Sequence, residues 1–233
     1  MATRTKGTPP RFAGFAKDAP GFFHELAAEM NREWFHANKH VYEAQWVAPM
    51  TALLDEVRGK LATVYKGIPL AEPKLFRIHR DVRFGKDKTP YKTHVGGLLS
   101  TSAGPVMESG AALYVQLGLE EYAGAGFWSF TPEQTARWRK QVADDKTGKE
   151  IAALVAAATK AGLGLDAHDV LSRVPRGIDP EHPRSELLRH KGCVLSFPAI
   201  PRGLIHKPAF ATWLAEQATR AAPVVRWVHK HVA

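Results

Sequence analysis

The sequence predicts an α+β fold, an antiparallel or mixed β-sheet with helices packed on it, and three observations carry that expectation. Apolar residues recur at helical spacing in the first third of the chain, alternate at strand spacing through the middle, and return to helical spacing toward the end. Clusters of glycine and proline separate the zones, and no internal repeat is present. A chain of 233 residues with 45% hydrophobic and 24% charged content can bury one sizeable core, so residues 12–233 are expected to form a single domain. Residues 1–11, polar and basic with two prolines, are expected to form a flexible arm.

The folded part begins at Phe12 and Phe15. Asp18 is suited to cap a helix with Pro20 in its first turn and Phe22, Phe23, Leu26 and Met30 on its apolar face. Asn31 breaks that run and caps a second helical turn in which Trp34 and Phe35 face inward. From Lys39 onward, Tyr42, Trp46, Met50, Leu53, Leu54, Val57, Leu61 and Val64 form an amphipathic stripe that Pro49 should kink or restart. Gly67 and Pro69 end it, and an extended connection follows.

The segment from Leu75 to His94 holds six Lys or Arg against two Asp. Read with a period of two, Phe76, Ile78, Val82 and Phe84 share the apolar face of an interior strand, and Arg77, His79, Asp81 and Arg83 share the polar one. Arg80 falls on the apolar side, where a guanidinium requires a carboxylate or a route past the core. Residues 85–90 read as a turn-rich loop.

Residues 95–100 read as another strand, and Ala111 to Leu119 with Tyr122 to Phe130 as a hairpin turning at Glu120 and Glu121. Gly124 and Gly126 mark a bulge or a close backbone approach. Thr131-Pro132-Glu133-Gln134 is a capping box opening a helix that pauses near Lys146-Thr147-Gly148 and resumes to Gly162. A short strand is expected near Leu163 to Leu165, a helical turn at Glu186 to His190, and a strand over Val194 to Phe197. Two closing helices, Phe210 to Ala222 and Val224 to His231, are expected to split at Pro223.

The formal charge of +9 makes acidic partners plausible, but the basic residues are spread along the chain without a block resembling a nucleic-acid tail. No apolar run approaches the roughly 20 residues of a membrane span and no signal peptide is legible, so no membrane partner and a cytoplasmic location are expected. The single cysteine, Cys193, lies in an apolar run and reads as a buried inert thiol, consistent with a reducing compartment. Dinucleotide, P-loop, nucleophile-elbow and zincin motifs are absent. His36 and His40 stand four apart but straddle Asn38, and read as surface histidines, so neither metal nor cofactor is expected.

The candidate site is an anion-binding surface built from Arg77, Arg80, Asp81, Arg83, Lys86, Lys88, Tyr91, Lys92 and His94. In this reading the loop from Gly85 to His94 forms one rim and Arg80 and Arg83 lie beneath it. Neighbouring cations should hold Asp81 ionised as the partner of an arginine, not as a proton donor.

These residues also carry a resemblance. FRIHRDVRFGKDKTPYKTH, residues 76–94, is similar to the signature of the family called domain of unknown function 2461. Asn31-Arg32-Glu33-Trp34-Phe35 with Asn38, Lys39 and Tyr42 resembles its N-terminal motif, and Gly124-Ala125-Gly126-Phe127-Trp128 its glycine-rich strand. Residues 171–177, His182-Pro183 and residues 187–191 resemble its C-terminal part, so the resemblance spans about residues 12 to 231. His79 stands where the family commonly has Tyr, which weakens any role for it, and Gly85 stands where Ser is common, so no hydroxyl can be required there. The resemblance implies a fold and a site, with Asn31, Arg32 and Trp34 as the wall opposite the basic loop, but no reaction.

Three functions compete. The favoured one is a phosphorylated or carboxylated small molecule held by the Arg and Lys residues, as a binding protein or an enzyme. The second is a nucleic-acid module in which Trp34, Phe84, Tyr91 or Trp128 stacks bases, although no standard binding motif supports it. In the third the charges form a structural ion-pair network and the function lies with a protein partner. Basic side chains in a concave pocket would favour the first, a broad convex stripe the second, and buried pairing with Asp or Glu the third.

Overall fold

The computed structural model describes residues 11–83, 86–102, 110–166 and 169–233. Two helices open the described chain, α1 (Ala19–Glu29) and α2 (Arg32–Tyr42). Met30 closes α1 in the left-handed conformation, and the Asn31 side chain caps α2 by accepting from the Trp34 amide at 2.8 Å. A π-helical turn, Glu43–Val47, joins α2 to α3 (Ala48–Leu61). Its cause is Pro49: the ring would strike the Gln45 carbonyl in a regular turn, and the chain widens instead, with Ala48 donating to Glu43.

Among the described residues six strands form one antiparallel sheet in the order β1-β2-β3-β4-β6-β5, from β1 (Lys74–Leu75), β2 (His94–Ser100), β3 (Ala111–Gly118), β4 (Tyr122–Phe127), β5 (Gly164–Asp166) and β6 (Cys193–Ser196). The fold is α+β, as the succession of helical and strand patterns predicts. Between β4 and β5 run α4 (Pro132–Ala143) and α5 (Asp145–Lys160), and α6 (Ser185–Leu188) precedes β6. The capping box at Thr131 and Gln134 forms as expected. The break between α4 and α5 falls at Asp144, ahead of the expected pause, because its side chain caps α5 by accepting from the Lys146 and Thr147 amides. Buried Arg184 closes the last turn of α4 through the carbonyls of Val142 and Ala143.

The expected split at Pro223 does not occur. One helix, α7 (Ala209–His231), runs through it. Pro223 and Thr219, whose carbonyl loses its amide partner, are both exposed, so water can satisfy that carbonyl, while Ala221, Ala222, Val224 and Val225 stay buried on the other side. Among the described residues no helix is long and apolar enough to cross a membrane.

Helices cover one face of the sheet, with α3 against β2, α7 against β3 and β4, and α5 against α7. Toward them point Val95 and Leu99, Leu113, Val115 and Leu117, Ala123, Ala125 and Phe127, all in the main apolar core. Cys193 is buried in that core, and burial pushes its thiol pKa up to about 12. Leu98 and Val194, on the opposite face, are buried without belonging to it.

Candidate functional site

The basic segment departs from the interior strand that alternation predicts. Only Lys74 and Leu75 are regular strand, at the edge of the sheet, and beyond them the outgoing chain pairs with its own return. Phe76 donates to the Gly96 carbonyl and His79 bridges to Tyr91. Between these two links Arg77 and Ile78 face the longer stretch Lys92 to Val95, so the return arm bulges. The outgoing arm itself bends at Ile78, which breaks the expected apolar face. Ile78 is buried in the core, Phe76 is half-buried on the other side of the sheet beside Tyr114, and Val82 is half-buried near the tip. Phe84, the fourth residue of that expected face, lies outside the described residues, as does Gly85 at the start of the loop. An edge location suits the charge, because Arg77, Arg80 and Arg83 on an interior strand would have to be desolvated.

At the tip the charges pair off. Arg83 grips Asp81 through two hydrogen bonds of 2.9 and 2.7 Å, and these hold the Asp81 carboxyl down at about 2. Arg80 bonds Asp87 and the Thr89 hydroxyl, and Asp87, whose first stabiliser is the Thr89 amide, is likewise lowered to about 2. The Lys88 ammonium closes the turn on the Val82 carbonyl at 2.7 Å, and Lys86 is exposed. Arg80 therefore meets the carboxylate that its position called for, and Asp81 is an ionised arginine partner.

At the base of the hairpin the pattern reverses. Arg77 and Lys92 lie close enough for Arg77 to lower the Lys92 pKa, second to the effect of burial, and neither forms an ion pair among the described residues. The Lys92 ammonium sits over the Phe76 ring, 5.6 Å from its centroid. His94 follows on β2. Burial and the Lys92 charge depress its pKa, and Glu120 opposes them.

The N-terminal corner meets the hairpin through a residue outside the predicted set. Phe35 of α2 stacks on the Tyr91 ring at 4.5 Å and approaches His79 at 5.9 Å. Tyr91 is only 2% exposed, so its ring serves this packing. Asn31 caps α2, half-buried Trp34 packs on Phe22 at 5.5 Å, and Arg32 faces solvent. His36 and His40 are exposed on α2.

The Arg77–Lys92–His94 corner borders the sheet face that the helices leave uncovered. Side by side across the strands lie Leu98, Tyr114, Gly124, Ser196 and Gly164, and in the next row Gly96, Gln116 and Tyr122. The missing side chains make room for tyrosines. A Cβ on Gly96 would stand 3.4 Å from the Tyr114 hydroxyl, and one on Gly124 would stand 3.0 Å from that of Tyr122, so the rings lean over glycine. Gly126, at φ 137°, has a different reason: a Cβ there would meet the Cys193 carbonyl at 2.1 Å. The Phe76, Tyr114 and Tyr122 rings form a row with centroids 5.9 and 6.1 Å apart. Tyr114 bonds Gln116 at 3.0 Å, and burial, with Asp166 and Tyr114 close by, raises Tyr122 to about 12. Sequence reasoning placed Phe76 in the core and passed over the tyrosines. Their signal was available in the alternation of tyrosine with glycine on neighbouring strands.

A concavity of about 710 Å³ lies between the end of α3 and residues 65–70 and includes Arg58, Lys66 and the buried Tyr65, whose hydroxyl has no hydrogen-bond partner among the described residues. Arg58 there is tied to Glu72 and the Leu70 carbonyl.

Comparison with curated proteins and with solved structures gave no match. A family model described as conserved hypothetical protein (DUF2461) matches residues 18–227, and the chain belongs to that family.

Proposed function

We propose that this DUF2461 protein binds a phosphorylated or carboxylated small molecule at the base of its basic hairpin, with Lys92 central and Arg77 and His94 beside it. The observation that carries the reading is the contrast along the hairpin: Arg80 and Arg83 already hold Asp87 and Asp81, whereas Arg77 and Lys92 stand together without an ion pair among the described residues, and the Asp81 carboxylate that feels the Arg77 charge is already held by Arg83. Like charges held together are costly, more so when one is half-buried, and an anion placed between them offsets the cost. Arg80, Asp81, Arg83, Lys86 and Lys88 then form a charged flank, Phe35 and Tyr91 the support, and Asn31, Arg32 and Trp34 lie on the supporting helix or at its cap. No reaction is assigned, because no nucleophile and base stand together among these residues.

Sulfate and inorganic phosphate should raise the melting temperature of the protein by an amount that grows with their concentration. Replacing Arg77 and Lys92 by Met should remove that protection while Arg83→Met leaves it in place. Protection that survives the double replacement, or no protection of the parent protein, overturns the reading. The ion-pair network at the tip, formed by Arg80–Asp87 and Arg83–Asp81, then becomes the better account of the segment, with a protein partner as its function.

A further inference from the structure

We infer that the ligand of this face is a mononucleotide, its phosphate at Arg77 and Lys92 beside Phe76 and its base stacking on a tyrosine, Tyr114 or Tyr122, farther along the row of rings. The inference rests on the anion reading and adds the ring. An anion alone requires the cations, but it gives no reason for three aromatic side chains in contact beside them on an uncovered sheet face.

Tyr114 and Tyr122 are half-buried, and their hydroxyls reach over Gly96 and Gly124, so the rings lean along the sheet instead of standing up from it. The Tyr114 hydroxyl is engaged by Gln116. The ring planes are inclined by 68° between Phe76 and Tyr114 and by 49° between Tyr114 and Tyr122, so a planar group stacks on one ring at a time, and such stacking is tolerant of base identity.

The distribution of charge selects a mononucleotide over a strand of nucleic acid. Cations gather at the Phe76 end of the row, and at the other end the Asp166 carboxylate lies close to Tyr122. Glu120 stands near His94 along the same margin. A polynucleotide backbone following the rings would run from favourable into unfavourable potential, whereas a single phosphate stays at the basic end. Asp166 already accepts from the Tyr122 hydroxyl, and its carboxylate keeps acceptor sites for an amino group on the base.

Calorimetric titration of the full chain with adenosine monophosphate, ribose 5-phosphate and inorganic phosphate separates the two readings. One stacked base should make adenosine monophosphate bind about tenfold tighter than ribose 5-phosphate. Tyr122→Leu should narrow that gap and Tyr122→Phe should keep it. Equal affinity for the two sugar phosphates overturns the nucleotide inference and leaves the anion reading standing, and no binding of any of the three overturns both. An octamer of deoxythymidylate that binds more tightly than the mononucleotide, with steep salt dependence, overturns the inference in favour of a strand-binding face. The parent protein alone decides these outcomes, so they hold even where a tyrosine variant fails to fold.

Discussion

The two faces of the sheet are made from the same strands and solve opposite problems. Beneath the helices, Leu113, Val115 and Leu117 alternate with Tyr114 and Gln116, and each buried apolar side chain contributes roughly 1.5–3 kcal/mol by leaving water. The covered face carries Gly97, closed over by Leu54 of α3, whereas the uncovered face carries Gly96 and Gly124 and fills the space with tyrosine rings from neighbouring positions. Glycine in a strand costs conformational entropy and packs nothing. A face that accepts that cost at Gly96 and Gly124 keeps room for the tyrosine rings in return, beside cations that form no ion pair among the described residues. Stability is concentrated under the helices, and the candidate chemistry lies on the other side.

The largest expected effect tests the helical side. Trp138 is fully buried in the core, and its indole N–H donates to the Leu187 carbonyl at 2.8 Å. Trp138→Ala removes both the packing and the bond, and should lower the unfolding free energy by about 4 kcal/mol in urea titration. A loss below about 1 kcal/mol would mean that the core tolerates a cavity at this point. Tyr122→Leu on the uncovered face retains apolar bulk without a polar group to satisfy, and should cost less than about 1 kcal/mol. A cost equal to that of Trp138→Ala would erase the contrast between the faces and make the tyrosine row part of the scaffold.

Much of the helical side was legible in the sequence, because one physical rule dominates there. The stripe from Tyr42 to Leu61, the capping box at Thr131 and the Glu120 turn each follow from local pattern. Pro223 misled, since the cost of a proline depends on whether its displaced carbonyl faces water, which only the packed helix reveals. The basic hairpin misled for a related reason. Alternation assumes a continuous strand, and the bend of the outgoing arm at Ile78, opposite the bulge at Lys92 to Val95, places Phe76 and Ile78 on different sides. Pairing of Arg83 with Asp81, two residues apart, was local and therefore legible. The nearness of Arg77 to Lys92 and of Phe76 to Tyr114 arises across the hairpin and the sheet, beyond the reach of any local pattern.

The smallest expected effect sharpens the comparison most, because it depends on one proton. His94 has its pKa held below the ordinary 6.5 by burial and by Lys92, while Glu120 pulls the other way. The unfolded chain therefore takes up this proton at a higher pH than the folded one does. Stability contributed by neutral His94 is present above about pH 6.5 and declines as pH falls toward the folded-state pKa. His94→Gln should flatten that decline, read as a melting temperature followed from about pH 8 to about pH 5. An anion beside Lys92 reverses the balance at the same histidine, since it favours the imidazolium and must tighten as the proton binds. Sulfate, which does not itself titrate in this range, should therefore protect the parent protein more strongly at about pH 5.5 than at about pH 8, and His94→Gln should remove the dependence. Sulfate protection that is independent of pH in the parent would place the anion away from His94, toward the arginines at the tip of the hairpin, where both carboxylates are held near 2 and have no proton to exchange in this range.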